Sequence, residues 1–151
     1  MAKKTPYRVA LHNAQQRLAV DRQRLIDVVR QILIGEGFAR GDVSLAIVDD
    51  PTIHQLNRQY LDHDYATDVL SFLLDETADP RGVEGEVIVS ADTALQSAAS
   101  YGWEAADELL LYVVHGTLHL TGYDDQTPEL QQQMRERERY YLARFGLAPR
   151  Y

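Results

Sequence analysis

The sequence predicts an α+β fold, one domain over residues 1–151 built on a mixed four-stranded sheet covered by about five helices. Three observations predict it. Short apolar runs of strand length alternate with stretches whose apolar residues recur at helical spacing. Two of the apolar runs are separated only by a polar stretch with turn residues, so they read as a strand pair. The chain of 151 residues, 45% hydrophobic, is long enough for one core, and no repeat or long Pro/Gly-rich linker divides it.

In order along the chain, residues 7–12 are β-like. Residues 21–36 carry Leu25, Val28, Val29, Ile32 and Leu33 at helical spacing, and Gly35 and Gly37 end that helix. Residues 43–48 form a short apolar strand. Asp50-Pro51 then opens a helix, with Asp50 as N-cap and Pro51 at the first helical position. That helix carries Ile53, Leu56, Asn57 and Tyr60. Residues 69–74 read as a strand. Residues 75–85 are polar and contain Asp79-Pro80, Gly82 and Gly85, which predicts a loop. Residues 86–90 alternate and form the second strand of the pair. Asp92 caps a short helix ending at Tyr101. Residues 104–120 make a long helix with Leu109, Tyr112, Val113 and Leu120 inward, and its Val113-Val114 centre predicts deep burial. Gly122 ends it. Thr127-Pro128-Glu129 starts a last helix, charged on one face, that runs to about Phe145.

Composition narrows the function. There are no cysteines, which removes disulfides, thiolate catalysis and any Cys-containing zinc site. Lys3 and Lys4 are followed by no long apolar run, and nowhere do about 18 apolar residues stand together, so neither a signal peptide nor a membrane span is expected. The expectation is a soluble, cytoplasmic protein. The net charge of −8 argues against simple coating of nucleic acid. Between residues 41 and 134 only Arg58 and Arg81 are basic, against 18 acidic residues, whereas the two ends carry 13 basic and 5 acidic residues. An acidic middle favours a divalent cation and disfavours phosphate. An RNA substrate would need the terminal arginines, or a metal, for its backbone.

The informative run is HGTLHLTGYDD, residues 115–125. His115 and His119 are four apart, which on a helix places both imidazoles on one face, one turn apart, where they can share an ion. Gly122 can take positive φ and turn the chain back sharply. That turn returns Asp125 as a third, carboxylate ligand and leaves a coordination position open for water. The donor set suits one zinc ion and does not exclude iron, manganese or nickel. The nearest general template is the zinc-peptidase HExxHxxGxxH pattern, but Gly116 stands where the general-base Glu belongs and cannot take a proton. That argues against a metallopeptidase.

The same segment resembles the HGxLHLxGYDH signature of YbeY-type endoribonucleases, matched from His115 to Asp124. LNRQYLDHDYATDVLSF, residues 56–72, is similar to that family's LNxxYRxxDxPTDVLSF segment, and GEVIVS, residues 85–90, to its GDIVIS strand. Order and spacing agree over residues 5–146. The resemblance implies a mixed four-stranded sheet, a zinc-type site and single-strand-specific endoribonuclease activity. It also implies rRNA and the small ribosomal subunit as partners, in 16S rRNA 3′-end maturation and 70S ribosome quality control.

Two departures from the family pattern stand out. Its third His is Asp125 here, whose negative charge lowers the Lewis acidity of a bound ion. Its Arg after the Tyr, a candidate for contacting the scissile phosphate, is Leu61. Arg58, one helical turn earlier, is the candidate substitute, with His63 the other local one. A metal at this site would activate a water and polarise a phosphoryl oxygen. His115 ranks first for function, as ligand and orienter. Asp124 is the candidate to accept a proton or orient a ligand, or else a turn residue bonding its own backbone. Asp68 is a candidate cap or neighbour of the site, and Ser71 a strand support. His12 and His54 are structural or surface residues, and Trp103 a packing residue. Besides the nuclease, a non-catalytic rRNA or ribosome assembly factor with a structural metal is the alternative, though only three ligands are found where structural sites usually have four.

Overall fold

A computed structural model describes residues 5–151; Lys3 and Lys4 lie outside the described residues. The elements follow as β1 (Tyr7–Asn13), α1 (Arg22–Gly35), β2 (Arg40–Val48), α2 (Asp50–Leu61), β3 (Val69–Ala78), β4 (Arg81–Ser90), α3 (Ala91–Tyr101), α4 (Ala105–Leu120) and α5 (Pro128–Ala143). The strands form one sheet in the order β1-β2-β4-β3. β1 and β4 both run parallel to β2, and β3 pairs antiparallel with β4. This is the mixed four-stranded α+β fold with five helices that the sequence predicts.

Strand periodicity assigns the faces. Val43, Leu45 and Ile47 of β2 and Val87 and Val89 of β4 enter the main core with α1 and α4. Val48 and Ile88 point the other way, into a smaller cluster with Ile53 of α2 and Leu70 of β3. α4 is buried almost all round from Glu108 to Leu120, as expected of a helix crossing the middle of a core. Its end therefore sits against the sheet with little freedom to shift.

Three local expectations are corrected. The N-cap of α2 is Asp49, whose carboxylate accepts from the Thr52 N–H at 2.9 Å. Asp50 instead accepts from the hydroxyls of Ser90, at 2.6 Å, and Thr93, at 2.7 Å. Likewise Ser90 caps α3 through the Thr93 N–H. Asp92 accepts from the Asp50 N–H at 2.8 Å and pairs with Arg17 at 2.9 Å. In both places two short polar residues stand at a helix start, and a partner from another element takes one of them away. Residues 75–85 are not a loop. Strands β3 and β4 continue through Asp75↔Glu84, Glu76↔Val83, Thr77↔Gly82 and Ala78↔Arg81, turning only at Asp79-Pro80, with a register shift between Leu73 and Asp75. This outer half of β3 is solvent-exposed, so the alternation that betrays a strand is missing.

Candidate metal centre

The site grows from the end of α4. His115 and His119 lie one turn apart and turn their Nε2 atoms toward each other, 3.1 Å apart, with ring centroids at 4.7 Å. α4 closes at Thr121, and Gly122 takes φ 111°, a value that favours glycine. The Tyr123 N–H then bonds back to the Leu118 carbonyl at 3.1 Å. That reversal returns Asp125, whose Oδ2 is 3.4 Å from His115 Nε2 and whose Oδ1 is 3.7 Å from His119 Nε2. The side chains of His115, His119 and Asp125 are 23%, 28% and 37% exposed, so the cluster meets solvent on one side.

These separations fit a metal ion. Three ligands on one tetrahedral ion at roughly 2.0–2.1 Å lie roughly 3.3 Å from one another. The ligand atoms here fall within 4.8 Å of each other. Two imidazole nitrogens 3.1 Å apart, with the carboxylate oxygens 3.4 and 3.7 Å from them, form a group that could hold one ion.

Burial pulls the imidazoles toward neutrality, and the surroundings divide them. For His115 burial is the largest influence and lowers its pKa, but Glu138, then Asp125 and Asp68, raise it further, leaving it above its ordinary value. For His119 burial and then the neighbouring His115 lower it, and Asp125 and Asp124 do not make up the difference.

The cluster opens on a cleft of about 570 Å³ whose walls include Leu61, Asp68, Ser71, Leu73, Asp124 and Gln126. Ser71 donates to the Gly116 carbonyl at 2.9 Å and so ties β3 to α4 beside the site, the supporting role expected of it. Asp68 accepts from the Val69 N–H at 2.8 Å. Asp124 accepts from the Asp125 N–H at 2.8 Å, a turn contact made while it lines the cleft. Arg58 is exposed on α2 and is not among the cleft-lining residues, although Leu61 is. His63 stacks on Tyr65, and His54 bonds to Asp64 at 2.8 Å, so both belong to the surface. Trp103 packs on the core and donates to Glu108 at 2.6 Å.

Gly116 has a packing reason. A Cβ there would stand 2.6 Å from Val87 and 2.9 Å from Val69, so residue 116 faces the sheet and not the cleft. What sequence reasoning missed lies behind His115. Glu138 of α5 places Oε1 3.2 Å from His115 Nδ1. The available signal was a lone acid on the apolar stripe Met134, Glu138, Tyr141 and Leu142.

A mixed sheet with a buried helix that ends in two imidazoles and a returning carboxylate defines a small α+β protein with a three-ligand metal-type site. The chain belongs to the YbeY family, whose model, described as Endoribonuclease YbeY, matches residues 10–146. Proteins named Endoribonuclease YbeY are among its relatives. That of Rhodopirellula baltica is 50% identical over 105 residues, which is 68% of this chain and only 53% of that protein's length. That of Salinibacter ruber is 45% identical over 121 residues, 76% of this chain and 77% of that one. That of Pelotomaculum thermopropionicum is 39% identical over 148 residues, 92% of this chain and 97% of that one. The solution structure of TM1509 from Thermotoga maritima shares the fold, with a TM-score of 0.61 at 23% identity over 93% of this chain and 91% of that one.

Proposed function

We propose that this chain is a metal-dependent endoribonuclease acting on single-stranded RNA, with one zinc ion held by His115, His119 and Asp125. The observation that carries the reading is the three-ligand cluster at the floor of an open cleft, in a chain whose family model is an endoribonuclease. The place of action is the cytoplasm, on rRNA of the small ribosomal subunit, in 16S rRNA 3′-end maturation and 70S ribosome quality control.

When bound, the ion supplies a Lewis acid and a water of lowered pKa. The chain's own residues do the rest. His115 and His119 present Nε2 lone pairs from a helix end that packing holds still. Asp125 completes the set and leaves the cleft side open. Asp124, next to it in the cleft wall, accepts a proton or orients Asp125 through the 2.8 Å bond to its N–H. Phosphate contact is assigned to Arg58, which stands three residues before Leu61 of the cleft wall on the same helix.

A specific observation favours a second reading, a non-catalytic rRNA assembly factor with a structural metal. Among the described residues that line the cleft none is Lys or Arg, whereas Asp68, Asp124 and Asp125 are acidic. A peptidase is disfavoured because the position of its general base is occupied by Gly116, packed on the sheet.

The test is metal content and cleavage measured together on wild type, His119→Ala and Asp125→Ala. The nuclease reading expects near one equivalent of zinc in wild type, clear loss in both variants, and zinc-dependent cutting of single-stranded but not double-stranded RNA. Zinc bound normally with ribosome association but no cutting would replace it with the assembly-factor reading.

A further inference from the structure

Glu138 is an unusual tenant of its position. It is 3% exposed, on the face of α5 otherwise made of Met134, Tyr141 and Leu142. A buried carboxylate is costly unless its oxygens are matched by donors. Neither Lys nor Arg pairs with Glu138 among the described residues; its ion-pair partner is the His115 imidazole. Both oxygens are nonetheless used. Oε1 faces His115 Nδ1 at 3.2 Å, and Oε2 accepts from the Tyr151 hydroxyl at 2.9 Å. The Tyr151 ring is in turn held by guanidinium groups, Arg135 at 4.6 Å and Arg139 at 5.9 Å from its centroid. Tyr151, Glu138 and His115 all line one small cavity of about 200 Å³, which Asp125 and Asp68 share with the cleft and which Ser71 and His119 do not line.

We infer that Glu138 and Tyr151 are positioning residues of the metal centre: Tyr151 fixes Glu138, and Glu138 fixes the His115 ring with its proton on Nδ1 and its Nε2 lone pair on the ion. The inference rests on the metal reading above and extends it outward by two residues. A carboxylate at Nδ1 selects the tautomer that leaves Nε2 free, and it raises the basicity of the ligand. It also removes the ring's freedom to rotate, which an imidazole with one side open to solvent otherwise has to surrender on binding. Tyr151 adds a second anchor, because a glutamate held at one oxygen alone can still swing about its last torsion. The pair is drawn from an element and a segment that carry none of the ligands, so its effect is separable from ligation itself.

The experiment is zinc affinity by competition with a chromophoric chelator, on the full chain as wild type, Glu138→Gln, Tyr151→Phe and His119→Ala. The metal-free melting temperature of each is the fold control. Glu138→Gln should weaken zinc binding at least about tenfold, within the range typical of lost outer partners, and Tyr151→Phe by a few-fold. Tyr151→Phe removes one hydrogen bond to a buried oxygen and should lower the metal-free melting temperature modestly, leaving the chain folded under the conditions of the affinity measurement. A merely structural Glu138 would lower that temperature and leave affinity alone. If His119→Ala loses zinc while Glu138→Gln and Tyr151→Phe bind as wild type does, this inference is overturned and the metal reading stands. If only Glu138→Gln weakens, the part given to Tyr151 is overturned. If wild type and His119→Ala bind zinc equally, the ligand set itself is wrong and the positioning pair goes with it.

Discussion

Gly116 separates two explanations that look alike in sequence. Its lack of a side chain removes a general base, and its place against Val87 and Val69 shows why no side chain is accommodated. Gly116→Ala adds one methyl to a packed contact. Alanine is the better helix former by about 1 kcal/mol, but overpacking a close interface typically costs about 1–3 kcal/mol. The expected outcome is a net loss of stability, read as a lower urea midpoint at unchanged m-value. An unchanged or raised midpoint would show that the contact with the sheet yields at a cost no greater than alanine's gain in helix propensity. Because Ser71 bonds to the Gly116 carbonyl, a lift of α4 from the sheet would also move His115 and His119. Gly122 works differently. Nothing lies within 4 Å of a Cβ there, so its requirement is the φ of 111° and not space.

Between elements, α5 is fastened at two points, one beside the metal cluster and one at the far end of α1. At the second point the Glu36 carboxylate accepts from Tyr123 at 2.7 Å and from Tyr141 and Arg137. Burial is the largest influence on Glu36 and raises its pKa. The hydrogen bonds from Tyr141, Tyr123 and Arg137 together outweigh it and hold the carboxyl below its ordinary value of 4.5. The sign follows from linkage. A carboxyl whose pKa is lowered by folding stabilises the protein fully above its unfolded value, and that contribution is lost as pH falls through the lower folded one. Glu36→Gln should therefore be less stable than wild type by about 2 kcal/mol at pH 7, the scale of hydrogen bonds to a charged group. Urea unfolding should show the gap closing below about pH 4.5 as wild type gains its proton. A gap that persists undiminished at pH 3 would mean that charge has no part in the clamp.

Across the whole molecule, charge is unevenly spread. The net charge is −8, and the charged residues that line the cleft besides its two histidines, Asp68, Asp124 and Asp125, are all acidic among the described residues. Several arginines are already engaged: Arg17 with Asp92, Arg24 with Asp107 and Arg137 with Glu36. The other ten of the thirteen arginines make no ion pair among the described residues, but none of them lines the cleft. On the nuclease reading, affinity for single-stranded RNA should depend only weakly on salt. A single strand contributes a slope of roughly −0.7 per neutralised phosphate, so the plot of log affinity against log salt should be shallower than about −2. Fluorescence anisotropy of a labelled single-stranded oligoribonucleotide reads this directly. A slope of about −4 or steeper would reveal a basic track that the cleft does not provide. Among the described residues no helix is long and apolar enough to cross a membrane.

Sequence alone determined what lies within a few residues of itself. The spacing of His115 and His119, the turn at Gly122 and the return of Asp125 follow from helix pitch and one positive φ, both local properties of the backbone. The alternating elements followed from periodicity for the same reason, and the resemblance that the family match bears out was carried by three short motifs. Tertiary structure decided everything that depends on which elements meet. It gave the caps of α2 and α3 to Asp49 and Ser90, because Asp50 and Asp92 were claimed by each other's helix starts. It carried β3 on through the exposed residues 75–78, because backbone pairing with β4 needs no buried face there. It left Arg58 off the cleft wall. And it carried Glu138, 23 positions beyond His115, to the imidazole it touches. A buried carboxylate must find a donor somewhere, but which donor it finds is settled only when two helices pack.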